Sequence, residues 1–401
     1  MHENTPTVTR QARRPSDLGF RDREASVDIA RGAVMVLMAL DHVRDFVTNV
    51  RFPPEDLSRA SVALFVTRWV THFCAPTFFL LAGVSIGLVR RRGTPSLHLS
   101  RVLVVRGVWL LLLELVITPI GWQFGFTLVP AFALVLWALG WSMLLMAVLV
   151  HLPNRVLLPV AVCVIAGHNL LDGILPDQLG AFAGLWRVLH VAGFAIPGVL
   201  FIAYPLVPWV AVTALGFALA PVFSWDAGRR RRLLLACGGA AFVMFVAARW
   251  LNGYGDPVPW TTQRTPILTV ASFLNVRKYP PSLDFLLMTL GPALMALALA
   301  ERTRLRRVAD WLAVYGRVPL FFYVTHIFVA HAVAVILAFL QGGALRRIQA
   351  VNNPGSIPDW YGVPLSGVYL LWAAAVLILF HPCSWLGRLK RTRDEWWLRY
   401  V

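Results

Sequence analysis

The feature that most constrains this chain is a series of apolar runs, each about 20 residues long, which is the length of a helix that spans a bilayer. Ten segments have this character: 27–48, 63–89, 102–121, 127–150, 155–172, 199–223, 232–250, 281–300, 312–339 and 365–386. Only 14% of the residues are charged, against about 25% in soluble domains. The sequence therefore predicts an all-α fold, a polytopic transmembrane helical bundle of about ten spans.

The arginines between these runs predict the orientation of the bundle, because cytoplasmic loops are enriched in Lys and Arg. With the N-terminus in the cytoplasm, the tight clusters at 90–92 and 229–232 fall inside, and only the Arg346-Arg347 cluster falls outside. Ten spans then leave both termini in the cytoplasm. We expect residues 1–24 to form a basic cytoplasmic tail and residues 25–400 to form a single transmembrane domain.

Several classes of function lack support in the sequence. The formal net charge of +17 could indicate nucleic-acid binding, but the arginines lie in short loops, where anionic lipid explains them better. No Walker sequence, dinucleotide-binding glycine motif or G-x-S-x-G motif is present. The four cysteines form no C-x-x-C pair, so neither a disulfide framework nor a metal site is predicted.

Two segments between the predicted spans are interrupted by proline and charged residues. Segment 172–198 is expected to be an interfacial or re-entrant piece. Segment 251–280 is expected to be a long structured loop with a short buried helix at 267–274. Neither segment has the uninterrupted apolar length of a span.

The first predicted span contains charged groups where a bilayer makes them costly. Arg31 and His42 are 11 residues apart, about 16 Å along one face of a helix. This spacing fits a long ligand with an anionic head near Arg31 and a reactive tip near His42, whose imidazole suits proton transfer. The plainer interpretation is that Arg31 contacts lipid phosphates and His42 bonds a neighbouring helix.

Two carboxylates near His42 are candidates to hold its imidazole. Side chains three or four residues apart face each other on a helix, whereas adjacent ones do not. Asp45 is therefore the better intrahelical partner for His42, and Asp41 can pair with Arg44. A carboxylate on one ring nitrogen would fix the tautomer and leave the other nitrogen as a base.

Further polar residues occur in the second span and before the eighth. His72 is expected at a depth similar to that of His42, so the two could serve as acid and base. A shared metal is the weaker idea, because no H-x-x-x-H or carboxylate spacing supports it. Arg277 and Lys278, in a proline-stiffened segment, could hold an anionic or sugar substrate or contact lipid headgroups.

The ninth span adds Arg317, which is expected level with Arg31, and the pair Tyr323 and His326, which share a helix face. Arg31 and Arg317 together could clamp a diphosphate. Lipid contact is the alternative interpretation for both arginines.

Taken together, these motifs resemble a bacterial membrane family related to the catalytic domain of heparan-alpha-glucosaminide N-acetyltransferase. The segments that carry the resemblance are 26–32 (SVDIARG), 39–46 (ALDHVRDF), 71–76 (THFCAP), 278–283 (KYPPSL) and 316–323 (GRVPLFFY). The resemblance spans about residues 25–400. It implies a transmembrane acyltransferase that takes acetyl groups from cytoplasmic acetyl-CoA and delivers them to a sugar or glycan across the membrane.

The resemblance also implies roles for individual residues. Related polysaccharide O-acetyltransferases carry an Arg and a His at the spacing of Arg31 and His42. The lysosomal enzyme has its catalytic histidine in the loop before its second span, but residues 58–67 contain no histidine here, so His42 is the expected base or acetyl carrier. The supporting roles are as follows: Asp41 or Asp45 to hold the imidazole; His72 as reserve; Arg31, Arg317 and Arg106 for CoA phosphates; and Arg277, Lys278, Tyr279, Tyr323 and His326 for the acceptor.

The expected surroundings are the bacterial cytoplasmic membrane and its lipids, with a homodimer as an option and no nucleic acid or metal. A proton-coupled transporter of a small molecule or lipid-linked intermediate is the alternative function, because intramembrane His and Asp suit it equally. Carriers often contain repeats with paired broken helices, and the sequence shows no internal repeat.

Overall fold

The structure is a computed structural model and describes residues 15–123, 129–300, 306–342, 358–393 and 395–399. Helices dominate it. They are α1 (Pro15–Val47), α2 (Val62–Thr71), α3 (Cys74–Arg91), α4 (Ser96–Leu112), α5 (Thr118–Gln123), α6 (Val135–Leu149), α7 (Asn154–Gly167), α8 (Ala183–Leu189), α9 (Leu206–Leu219), α10 (Ala227–Leu251), α11 (Pro266–Leu274), α12 (Leu283–Ala300), α13 (Arg306–Gly316), α14 (Pro319–Leu340) and α15 (Leu365–Thr392).

Within the described ranges, eight helical stretches are long and apolar enough to cross a membrane. They are Val62–Arg91, Ser96–Trp122, Asn154–Leu171, Leu206–Ser224, Ala227–Leu251, Leu283–Ala300, Pro319–Leu340 and Leu365–Thr392. The remaining two predicted spans coincide with α1, which is 33 residues long and carries charged residues, and with α6, which has 15 residues. The all-α polytopic bundle is therefore confirmed.

Two predicted spans contain interruptions that the apolar pattern does not reveal. The span predicted at 63–89 breaks between α2 and α3 at His72 and Phe73, because Pro76 has no N–H to donate to the carbonyl of His72. The span predicted at 102–121 contains a π-helical turn, Leu113–Ile117, between α4 and α5. The break at His72 lies between Thr71 and Cys74, which line the candidate site, and the π turn contacts the start of α6 through Glu114.

Two other predicted spans were wrong in outline. The span predicted at 312–339 is two helices, because Val318 precedes Pro319 and has a non-helical backbone (φ −130°, ψ 52°). The span predicted at 199–223 begins as a strand and becomes helical only at Leu206. Strand β1 (Ala131–Ala133) pairs in parallel with β3 (Leu200–Ile202), and β2 (Gly193–Ile196) pairs antiparallel with β3.

The two interrupted segments have local structure of their own. Segment 172–198 contains a 3-10 turn (Pro176–Phe182), helix α8 and strand β2. The short helix predicted at 267–274 is confirmed as α11, although Ile267 and Val270 on it are exposed rather than buried. Helix α1 begins at Pro15, ten residues before the boundary predicted for the transmembrane domain.

Helix α1 is central to the bundle, with α3, α13, α14 and α15 packed around it. Its closest approach is to α13, where Gly32 faces the backbone of Leu312 and Gly316 faces the backbone of Asp28. A Cβ atom on either glycine would collide with a carbonyl oxygen. Small residues of this kind allow helix backbones to approach closely in membranes.

Three cationic residues, two arginines and a lysine, lie close together on three helices. Arg31 on α1, Arg106 on α4 and Lys390 on α15 are close enough to repel one another electrostatically. Arg346 and Arg347, the exception to the positive-inside pattern, lie outside the described residues. The sidedness of the bundle stays a prediction.

Candidate active site

A cavity of about 210 Å³ lies beside the C-terminal half of α1. Four spans, the residues that follow β1 and β3, and the loop before α12 contribute its walls. Its lining residues are Met38, Asp41, His42, Asp45, Arg68, Thr71, Cys74, Ala75, Phe78, Trp122, Leu134, Val135, Tyr204, Lys278, Tyr279 and Tyr323. The wall thus combines charged residues with apolar and aromatic ones, a composition typical of small-molecule sites.

His42 lines this cavity and is held by a second histidine. Its Nδ1 lies 2.6 Å from Nε2 of His326, and Nδ1 of His326 lies 3.0 Å from the carbonyl oxygen of Phe322. The indole of Trp122 packs edge-on against the His42 ring, with centroids 5.1 Å apart. The predicted carboxylate partner of His42 was therefore wrong, because α14 supplies an imidazole at that position.

The carboxylates are instead occupied by arginines. Asp41 pairs with Arg44 at 2.9 Å, as its i,i+3 spacing predicts, and with Arg68 on α2. Arg44 also pairs with Asp45 at 2.7 Å, and Arg68 pairs with Glu55 at 2.6 Å. This network ties α1 to α2 and leaves neither aspartate bonded to His42.

Glu55 belongs to the loop between α1 and α2 and shows how strongly the arginines dominate this end of the site. Burial alone would raise the pKa of its carboxyl group. The charge and hydrogen bond of Arg68, a backbone hydrogen bond and the charge of Arg44 together outweigh burial and hold the pKa of Glu55 below its ordinary value. Glu55 is therefore an anion that helps to neutralise Arg68.

His72 lies at the break between α2 and α3 and does not line the cavity, although Thr71 and Cys74 do. Its ring is buried against Phe285. Neither ring nitrogen has a hydrogen-bond partner within the described chain, and the nearest carboxylate oxygen, on Glu55, is 4.0 Å away. The structure thus separates His72 from His42, and its role as a reserve base stays a prediction.

The loop before α12 contributes two of its three expected residues to the cavity. Lys278 is buried and Tyr279 is partly exposed, and both line the wall. The Lys278 ammonium lies 5.1 Å from the centre of the Tyr279 ring. Burial alone would raise the pKa of the Tyr279 phenol, but the positive charges of Lys278 and Arg68 lower it below its ordinary value. Arg277 is exposed and does not line the cavity.

A buried ion cluster that sequence reasoning missed anchors this loop. Asp256 accepts hydrogen bonds from the backbone N–H of Arg277 at 2.7 Å and from the Ser282 hydroxyl at 2.6 Å. Arg249 donates to four backbone carbonyls in 258–275 and lies 3.7 Å from Asp256. An arginine near the end of an apolar helix was the available signal.

Glu114 is a second residue that the sequence analysis missed. It is fully buried in the π-helical turn. Its Oε2 accepts hydrogen bonds from the backbone N–H groups of Leu136 and Trp137 at 2.7 and 3.2 Å. Glu114 therefore caps the first turn of α6, next to the cavity-lining residues Leu134 and Val135. A single glutamate inside an apolar run was the signal.

Arg31 lies outside the cavity, at the middle of α1. It donates to Asp28 at 3.3 Å, to the carbonyl oxygen of Gly316 at 3.2 Å and to the Ser85 hydroxyl at 2.8 Å. Arg317 is exposed and close enough to influence Asp28 electrostatically. Arg31 thus links α1 to α3 and α13. Met38, about two turns further along α1, lines the cavity, whereas Arg31 does not.

The chain matches a known family over more than half of its length. Residues 23–252 match the family model described as heparan-alpha-glucosaminide N-acetyltransferase, catalytic. No curated protein matches the chain. The matched range includes Arg31, His42 and Arg68, whereas Lys278 and Tyr323 lie beyond it. With a multi-pass helical bundle and an imidazole in its cavity, this chain belongs to the catalytic-domain family of heparan-alpha-glucosaminide N-acetyltransferase, a family of membrane acetyltransferases.

Proposed function

We propose that this protein transfers an acetyl group from cytoplasmic acetyl-CoA to a sugar or glycan acceptor on the outer side of the bacterial cytoplasmic membrane. The observation that carries the proposal is the His42 imidazole, which lines an intramembrane cavity and is hydrogen-bonded on one ring nitrogen only within the described chain. Histidine is the side chain best suited to general base catalysis near neutral pH. The family supplies the acetyl chemistry.

A single histidine can accept and then return the one proton that moves in the proposed reaction. Nε2 of His42 takes the proton from the acceptor hydroxyl or amine as the acceptor oxygen or nitrogen forms a bond to the thioester carbonyl carbon. The carbon–sulfur bond then breaks, and the proton on His42 passes to the sulfur of the departing CoA. The alternative is a two-step route in which the imidazole itself carries the acetyl group.

Cationic groups on three helices support CoA binding beside the middle of α1. Arg31, Arg106 and Lys390 lie close enough together for their charges to interact, so an anionic ligand bound among them would be attracted to all three. The distance from Arg31 to His42, about 16 Å along α1, suits a ligand with phosphates at one end and a thioester at the other. Arg317 extends the positive surface beside Asp28.

The loop before α12 supports acceptor binding. Lys278 and Tyr279 line the cavity, and the hydroxyl of Tyr204 lies 3.4 Å from that of Tyr279. Tyr323 on α14 completes this wall. Arg277 is exposed next to these residues, so in the proposed complex it contacts only those parts of an acceptor that extend beyond the cavity.

The test is acetyl transfer by the full-length protein in lipid nanodiscs, with radiolabelled acetyl-CoA as donor and glucosamine as the probe acceptor. His42→Ala should reduce kcat by about 10²–10⁴-fold, the usual contribution of a general base. His98→Ala is the matched control, because His98 is exposed at the start of α4, and it should leave the rate unchanged.

Transfer by His42→Ala at the wild-type rate would reject His42 as the reacting group. Uptake of a small molecule into vesicles without any dependence on acetyl-CoA would favour the alternative function of a proton-coupled carrier. Exchange of label between acetyl-CoA and free CoA in the absence of acceptor would support the acetyl-histidine route, and its absence would support direct transfer.

A further inference from the structure

We infer that His326 is a positioning residue that fixes the tautomer of His42, so that Nδ1 of His42 carries the proton and Nε2 is left as the base. The inference about the tautomer rests on the hydrogen-bond geometry and burial of the two rings. Its catalytic consequence rests on the proposed function, in which Nε2 of His42 accepts the proton of the acceptor.

The rings of His42 and His326 are arranged for a direct hydrogen bond. Their centroids are 4.9 Å apart, while Nδ1 of His42 and Nε2 of His326 are 2.6 Å apart. The two nitrogens must therefore lie between the ring centres, so the rings meet edge to edge. The angle between the ring planes is 18°, which lets an in-plane N–H of one ring point at the in-plane lone pair of the other. This is hydrogen-bond geometry rather than stacking.

The hydrogen bonds of the two rings determine which ring nitrogens carry protons. A carbonyl oxygen only accepts hydrogen bonds, so the 3.0 Å contact between Nδ1 of His326 and the Phe322 carbonyl requires the proton on that Nδ1. A neutral imidazole has one N–H, so Nε2 of His326 is an acceptor. The proton in the contact with His42 must then come from Nδ1 of His42. Nε2 of a neutral His42 is consequently unprotonated.

The burial of His326 excludes the other protonation pattern. A doubly protonated His326 would donate to both neighbours, but it would place a positive charge on a side chain that is 2% exposed. The rings around it are those of Phe322 and Tyr323. No carboxylate forms an ion pair with His326 in the part of the chain that the structure describes. An unpaired buried charge is strongly disfavoured, so the neutral form stands.

The consequence for the reaction is that the base points the correct nitrogen at the substrate. His42 lines the cavity and His326 does not, so Nδ1 is the nitrogen held by the protein and Nε2 is the nitrogen left for the acceptor. When Nε2 takes a proton, the hydrogen bond from Nδ1 to His326 becomes charge-assisted and strengthens. Histidine thus fills here the orienting role that a carboxylate fills in a Ser-His-Asp triad.

The tautomer can be observed directly by ¹⁵N NMR of the full-length protein in nanodiscs. Asp-His occurs once in the chain, at Asp41-His42, so carbonyl-¹³C aspartate combined with ¹³C,¹⁵N-histidine identifies the backbone nitrogen of His42 without any variant, and the labelled side-chain carbons connect it to the ring nitrogens. We expect the protonated nitrogen signal at Nδ1 and the unprotonated one at Nε2. The opposite assignment, or equal populations of the two tautomers, would overturn the inference.

Two substitutions test the role of His326 in turnover. His326→Gln keeps an amide oxygen near the position of Nε2, so this variant should retain the His42 tautomer, with a modest loss of kcat. His326→Leu removes the acceptor, so it should abolish the fixed tautomer and lower kcat by about 10²–10⁴-fold while leaving the KM for acetyl-CoA unchanged.

The outcomes separate this inference from the proposed function. Equal kcat values for the Gln and Leu variants, together with equal changes in KM, would indicate a merely structural role for His326 and reject the inference. An NMR spectrum with the expected tautomer in a protein that transfers no acetyl group would uphold the inference and reject the proposed function.

Discussion

At the residue scale, Asp41 is the carboxylate at the centre of the ion-pair network of the site. It is buried and is shared by Arg44 and Arg68, which come from different helices. Removing one member of a buried ion network leaves the remaining charges uncompensated, and this costs more than the network itself contributes. The stability of the α1–α2 corner should therefore depend on this one carboxylate.

Asp41→Asn tests that dependence. The amide keeps the shape of the side chain but removes the negative charge that Arg44 and Arg68 share, and each guanidinium keeps one other carboxylate, Asp45 or Glu55. We therefore expect a loss of about 1.5–3 kcal/mol in the free energy of unfolding. The measurement is the thermal unfolding midpoint in detergent. Asp310→Asn, at an exposed position on α13, serves as the control and should leave the midpoint within error of the wild type. Equal midpoints for both variants would contradict the prediction.

The residue scale also shows what local spacing could and could not predict. The pairs Arg31–Asp28 and Asp41–Arg44 follow from helix periodicity, and both are present. The partner of His42 lies 284 residues away in sequence, and no periodicity connects the two. The sequence analysis did name His326, on the shared face with Tyr323, but as an acceptor-binding residue. Only the packing of α14 against α1 brings the two imidazoles together.

At the element scale, the crossing of α1 and α13 depends on two glycines. A methyl group on Gly32 would meet the carbonyl oxygen of Leu312, so the helices would have to separate. Gly239, in α10, has no heavy atom within 4 Å of the position its Cβ would take. These two helical glycines therefore form a matched pair that differs in packing alone.

Gly32→Ala should destabilise the protein by about 1–3 kcal/mol, as overpacking does elsewhere. Gly239→Ala should instead be neutral or stabilise it by up to about 1 kcal/mol, because alanine favours helix more than glycine does. Thermal unfolding midpoints in the same detergent compare the two variants. The same direction of change in both would show that the α1–α13 contact does not limit stability.

Helix interruptions differ in how much of them the sequence reveals. The breaks before α3 and α14 lie next to Pro76 and Pro319, whose missing N–H groups are a local signal. The π-helical turn at Leu113–Ile117 lies just before Pro119, which gives the same kind of local signal, but nothing local predicts the hydrogen bonds that tie Glu114 of this turn to α6. Proline therefore makes an interruption predictable, whereas tertiary hydrogen bonding does not.

At the scale of the whole molecule, the length of the apolar runs predicted most of the architecture, whereas the orientation that the arginines predict stays a prediction. Apolar length alone identified a helix for each of the ten predicted spans. It could not identify the small sheet, because strands β1 and β3 lie at the ends of apolar runs and resemble their continuation. It also could not predict the cavity, whose walls come from segments far apart in sequence.

The sidedness of the bundle gives a prediction for intact cells. In a background without the four native cysteines, His98→Cys should be protected from a membrane-impermeant maleimide, because the loop before α4 is predicted to be cytoplasmic. Asp177→Cys should be labelled, since it lies in the segment predicted to be outside. Both positions are exposed. Permeabilised cells provide the control, and labelling of His98→Cys alone in intact cells would invert the orientation.

The interruption between α13 and α14 couples the positions of Arg31 and His42, because each helix is hydrogen-bonded to α1. Helix α1 holds the end of α13 through Arg31 and the Gly316 carbonyl, and it holds α14 through His42 and His326. Helix α1, which is continuous, is therefore hydrogen-bonded to both α13 and α14, on either side of the break between them. A change in the angle between α13 and α14 would lengthen the hydrogen bond of Arg31 or that of His42. A ligand that displaces Arg31 would therefore alter the position of His42, about three helical turns away.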